Sequence, residues 1–220
     1  ADVPAAQRRA LAWSDMMPRG SDYRDALTLA REPAMKIVLI ITIMRIAASS
    51  IQDSFYPVWL ASIGMPATQI GILITVSSAV AAASSLWVAP VTRIMNPLWV
   101  LIWTSMGSII FVSITPSLDS LSLLMAAAAL RGLCMGLSQP LMLSILADAA
   151  GPGFLARGAA LRTTANRVAA SVTPISMGAV ASVAGLAVSF HVIGAVLLGG
   201  VGLVALYVKK HGAITDKTRD

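Results

Sequence analysis

The chain has 220 residues and a formal net charge of +6, with 57% of its residues apolar and 12% charged. That charged share is about half of the roughly 25% usual in soluble globular domains. Residues 37–208 contain only nine charges (Arg45, Asp53, Arg93, Asp119, Arg131, Asp148, Arg157, Arg162 and Arg167), too few to clothe a water-facing surface, so the composition is that of a polytopic membrane protein.

Segment 1–33 is polar and reads as a cytoplasmic linker. Ser21 suits an N-cap, Asp22 and Asp25 fall in the first turn, Arg31 in the last, and Pro33 ends the helix. Tyr23, Ala26, Leu27 and Ala30 make an apolar stripe at helical spacing, which predicts a short amphipathic helix on the membrane face. Acids and bases balance through Glu32, so no cleavable signal peptide is expected. The opening Ala1 fits a processed chain and a piece of a longer one equally.

A helix rising about 1.5 Å per residue crosses a hydrocarbon core of about 30 Å with about 20 apolar residues. Six runs within 34–210 meet that need, over about 35–60, 68–91, 98–114, 118–147, 159–185 and 186–208. Turn residues separate them: Gly64, Met65 and Pro66; Asn96 and Pro97; Pro116 and Ser117; Gly151, Pro152 and Gly153. Residues 211–220 form a polar tail. With the N-terminus inside, every Lys and Arg except Arg45 and Arg131 falls on or bordering the inner side, and the opposite loops carry only Asp119. That asymmetry predicts six spans with both termini cytoplasmic.

Charges within a bilayer are expensive and direct attention to function. Arg45 lies nine residues past Lys36, about 13 Å into the membrane at about 1.5 Å per residue. Arg131 is mid-span in the fourth run, and Asp53 lies near the outer mouth. Two arginines and one carboxylate inside a bundle suit an anionic substrate or an ion-pair gate, and equally a structural lock between helices. Gln52, Gln139 and Asn166 face a cavity or bond across helices on the same reasoning. Gly132 and Gly136 form a GxxxG spacing, which serves close packing. Pro140 and Pro174 fall inside the fourth and fifth spans, where they should bend the helices by removing a backbone hydrogen bond.

Other chemistries find little support. The single cysteine, Cys134, rules out a disulfide framework, and His191 and His211 match no metal-ligand spacing. A basic pI near 10.1 comes without any basic-aromatic cluster, so no nucleic-acid partner is expected. No nucleophile elbow, HExxH, phosphate loop or carboxylate pair is present, so neither an enzyme nor a cofactor is expected.

Three stretches carry a family resemblance. Arg131-Gly-Leu-Cys-Met-Gly-Leu-Ser-Gln-Pro140 resembles the Arg-and-Gly pattern in the fourth helix of each half of major facilitator superfamily transporters. Ala156-Arg-Gly-Ala-Ala-Leu-Arg-Thr-Thr-Ala-Asn-Arg167, followed by Pro174 and Gly178, resembles the cytoplasmic loop and fifth helix after it. Phe55-Tyr-Pro-Val-Trp-Leu60, with Gly64 and Ile70-Gly71, is similar to the end of a half's first helix and the start of its second.

The resemblance implies an all-α membrane fold, six transmembrane helices forming one half of a twelve-span transporter. Where the family's first half usually carries an Asp and two basic residues, this chain reads Ala89-Pro-Val-Thr-Arg-Ile-Met-Asn-Pro97, which points to the C-terminal half. It further implies secondary active transport of a small solute, with proton coupling an open option and Arg45, Gln52, Asp53, Arg131 and Gln139 at the substrate or gate. The implied partners are the lipid bilayer, the solute and a missing N-terminal six-helix half, in the cell's inner (plasma) membrane. The rival reading is a six-helix scaffold, assembly partner or inactive fragment that transports nothing. The topology is checked by single cysteines: one replacing Ser117 should react with impermeant maleimide from outside, one replacing Ala213 only from inside. Reaction of the first exclusively from inside would invert the fold in the membrane.

Overall fold

Prolines decide where the apolar runs stay whole and where they break. The computed structural model describes residues 33–150 and 155–210; the helix expected near Ser21, the turn at 151–153 and the 211–220 tail lie outside them. Pro33 begins a helix: α1 is Pro33–Ser54, and α2, Tyr56–Ser62, continues it past a turn at Phe55. Pro57 lacks the N–H that the Asp53 carbonyl needs, so the helix restarts there with proline in its first turn. Together the two make one span, Met35–Ser62.

The second run, expected over 68–91, is shorter than that. Helix α3, Ala67–Ser85, stops at Leu86 and Trp87, and α4, Val88–Ile94, is a separate helix. Pro90 is the cause, because it can neither donate to the Leu86 carbonyl nor avoid its ring striking it in a continuing helix. Helix α4 is bent 120° from α5, Pro97–Ser113. Asn96 caps α5 by accepting a hydrogen bond from the Leu98 amide at 3.0 Å, with Pro97 at the first helical position.

A 3-10 turn, Thr115–Ser117, precedes α6, Leu121–Ala150. The fourth run therefore starts later than 118, where the Ser120 hydroxyl accepts from the Leu123 amide at 3.2 Å. Helix α7, Leu155–Ala184, begins before the expected 159. Hydropathy ends at the arginines there, but Leu, Ala and Arg are strong helix formers and carry the helix through them. Arg157 consequently sits in a helix instead of a loop. Gly185, at φ +86°, turns the chain into α8, Leu186–Lys210. Pro140 and Pro174 lie inside α6 and α7, which run through them unbroken. Among the described residues five stretches are long and apolar enough to cross a membrane, and α4 with α5 makes a sixth.

In lipid, helices associate by close packing rather than by leaving water. Helix α3 lies parallel to α6, where a side chain at Gly132 would strike the Ser77 carbonyl and one at Gly136 the Ala81 carbonyl. The GxxxG spacing is thus a packing device, and Ser84 adds a hydrogen bond to the Leu133 carbonyl at 3.3 Å. Helix α1 packs on α7, α8 and α5, and α5 on α6, around buried Ile41, Leu101, Ile109, Leu124 and Val201. Trp59 meets Phe190 edge to face at 6.4 Å. His191 is structural here: its Nδ1–H donates to the Ala187 carbonyl and its Nε2 accepts from the Ser117 hydroxyl at 3.0 Å. Ile175, Val183 and Leu203 stay 70% or more exposed, as hydrocarbon-facing residues can.

The packing makes a paired prediction. Gly132→Ala should lower the thermal midpoint of the purified chain, overpacking typically costing about 1–3 kcal/mol. Gly178→Ala, where a side chain meets nothing within 4 Å, should leave it unchanged. Equal effects would mean that α3 and α6 do not approach as described.

Candidate functional site

The polar residues of the spans gather along the row α3, α6, α1, α7, at two depths. Arg45 follows Pro33 by twelve residues and Gln139 precedes Ala150 by eleven, so both lie about 17 Å from those ends of their helices at about 1.5 Å per residue. The helices are antiparallel, and that shared depth brings them together. Arg45, only 1% exposed, donates one terminal guanidinium N–H to Gln139 Oε1 at 2.8 Å and another toward Met135 Sδ at 3.7 Å. The same seam continues on both sides, with Thr42 donating to Met142 Sδ at 2.9 Å and Ser49 to Met135 Sδ at 3.7 Å. Stepping three or four residues up α1 matches a step of three or four back along α6.

The outer level holds Arg131 and Asp53. Arg131 donates to the Ser77 hydroxyl at 2.9 Å, a contact set by the neighbouring Gly132, which seats α6 on the Ser77 backbone. Asp53 and Tyr56 act on Arg131 electrostatically. Asp53 is exposed, whereas Gln52 is 5% exposed and its Oε1 has no partner. Of the expected residues, Arg45 and Gln139 are joined by a hydrogen bond and Asp53 is among the charges that act on Arg131, while Gln52 Oε1 has no hydrogen-bond partner.

Helix α7 contributes two more groups. Arg162 and Asn166 are four residues apart, hence on one face, and each has a buried polar atom without a partner, Nε and Oδ1. Arg162 is also the charge that acts on Arg45, so a second positive charge bears on it. Among the described residues six buried side-chain polar atoms lack partners, and all but Ser105 Oγ belong to this row: Arg45 Nε, Gln52 Oε1, Arg131 Nε, Arg162 Nε and Asn166 Oδ1. An unmet buried donor or acceptor costs about 1–3 kcal/mol, and five of the six fall in this one row. Arg162 and Met135 were not evident beforehand. The four-residue spacing from Arg162 to Asn166, both inside the expected 159–185 run, was the available signal for Arg162, and Met135 as an acceptor left none.

Three guanidinium groups and two amides line one row, with Nε–H donors and amide oxygens left without hydrogen-bond partners. No group of three His, Cys, Asp or Glu that could hold a metal exists among the described residues.

No curated protein and no solved structure matches the chain. The sequence profile of the Major Facilitator Superfamily matches residues 38–219, which takes in every described span and all the residues of the polar wall. The chain belongs to the major facilitator superfamily, a family of membrane transporters, and is an integral membrane protein.

Proposed function

We propose that this chain forms one wall of a secondary active transporter for a small organic anion or zwitterion, working by alternating access between two six-helix bundles. One observation carries the reading: among the described residues, the hydrogen-bond partners of buried Arg45 are the neutral Gln139 and Met135. Arginine stays protonated at any accessible pH, so its charge calls for a counter-charge. Among its electrostatic neighbours Arg162 adds a second positive charge. A carboxylate or phosphate on the solute would take the free Nε–H and a terminal N–H of Arg45 as a bidentate fork.

In this reading Gln139 orients Arg45, and Arg162 with Asn166 reaches the same solute from α7. Gln52 offers its amide to the solute's polar groups. Asp53 and Arg131 form the outer gate, and Asp53 is the group on which any proton coupling would fall. The second wall comes from another six-helix bundle, with both termini in the cytoplasm and the assembly in the cell's inner membrane.

Two measurements test this. The purified 220-residue chain, verified as a monomer, should catalyse no solute flux in proteoliposomes, and flux should return with a six-span partner bundle. Robust transport by the monomer would refute the two-wall mechanism. In the complete transporter, Arg45→Lys keeps the charge but loses the fork and should raise KM for an anionic solute about tenfold. Arg45→Gln should be worse. Wild-type transport by both variants would remove Arg45 from recognition, and the anion assignment with it.

A further inference from the structure

Two apolar grooves flank the basic end of α8, away from the arginine wall. One, of about 400 Å³, lies between α1 and α8 and is lined by Lys36, Ile37, Gly200 and Tyr207. The other, of about 750 Å³, lies between α5 and α8 and is lined by Trp99, Trp103, Gly202 and Lys209. Leu203, 70% exposed, stands between them and lines both. Both volumes fall in the range of ligand sites.

Three features of the sequence make these grooves. Gly199, Gly200 and Gly202 strip α8 of side chains at one level, although glycine weakens a helix interior by about 1 kcal/mol relative to alanine. Close helix packing explains only Gly200, which faces Met44 Sδ; a side chain at Gly199 or Gly202 would meet nothing within 4 Å. Each groove also has a lysine at its polar end, Lys36 in one and Lys209 in the other. Finally, ten residues separate Gly199 from Lys209, about 15 Å at about 1.5 Å per residue. That is half of a hydrocarbon core of about 30 Å, the depth of one leaflet.

We propose that the basic end of α8 binds one anionic phospholipid, its phosphate held by Lys36 and Lys209 and its two acyl chains lying in the grooves on either side of Leu203. Charge complementarity selects the headgroup, because basic sites between helices at a membrane surface recognise anionic lipids. The grooves select a lipid over a soluble phosphate, since they are apolar along a full leaflet's depth. Tyr207, Trp99 and Trp103 sit where aromatic rings favour the interface. The lipid would seal α1 and α5 to α8, filling space that no helix fills.

The test is native mass spectrometry of the full chain released from mixed micelles of dioleoylphosphatidylglycerol and dioleoylphosphatidylcholine. Wild type should retain one phosphatidylglycerol in preference to phosphatidylcholine. Lys36→Gln and Lys209→Gln should each weaken that retention about fivefold. Gly199→Leu with Gly202→Leu, which places side chains in open space, should abolish it while the far-ultraviolet dichroism stays that of wild type. Equal retention of the two lipids, wild-type retention by the lysine variants, or wild-type retention by the double leucine variant would each overturn the assignment. So would equal protection by soluble glycerol phosphate, which would make the lysines a phosphate site without a lipid.

Discussion

Gly132 and Gly136 let α6 press directly against the backbone of α3, at the carbonyls of Ser77 and Ala81. In a bilayer no hydrophobic gain draws helices together, so backbone proximity of this kind supplies the contact surface. The same contact sets the outer level of the polar wall. Arg131 is the residue before Gly132, and its guanidinium reaches the Ser77 hydroxyl because the two helices are already at their closest there. Packing and site are therefore one arrangement, and disturbing the glycines displaces an arginine as well as a helix.

The inner level depends on antiparallel register. Thr42, Arg45 and Ser49 on α1 meet Met142, Gln139 and Met135 on α6 in matched steps. Methionine sulfur is a weak, polarizable acceptor, which steadies hydroxyl and guanidinium donors without neutralising the charge. A carboxylate in place of Gln139 would have closed Arg45 into a permanent ion pair. The amide instead fixes its direction and leaves the positive charge uncompensated, and Arg162 on α7 adds to it.

Four prolines in the spans behave in two ways. Pro57 and Pro90 interrupt helices close to their ends, where the freed carbonyl and the restarted first turn are easily accommodated. Pro140 and Pro174 stay inside 30-residue helices, where turns on either side hold the backbone in place. The break at Leu86 and Trp87 has a consequence for the third crossing. It leaves α4 bent 120° from α5, so a run that hydropathy joins to the second span becomes a short separate helix leading into the third.

Membrane class, six apolar runs and the family were legible in the sequence, because hydropathy length and the scarcity of charge are one-dimensional properties. The positions of Arg45 and Arg131 inside spans were legible for the same reason, and so was the GxxxG spacing as a packing device. Helix ends were less so: hydropathy placed the start of α7 at the edge of its arginines, whereas helix propensity carries it back to Leu155. What only the tertiary structure decided is which polar groups meet. Arg45 reaches Gln139 across ninety-four positions of chain, Arg131 reaches Ser77, and the charges of Asp53 and Arg162 act on Arg131 and Arg45 respectively. Each of these depends on helix direction, depth and rotation together, and a sequence states none of the three until its helices are packed.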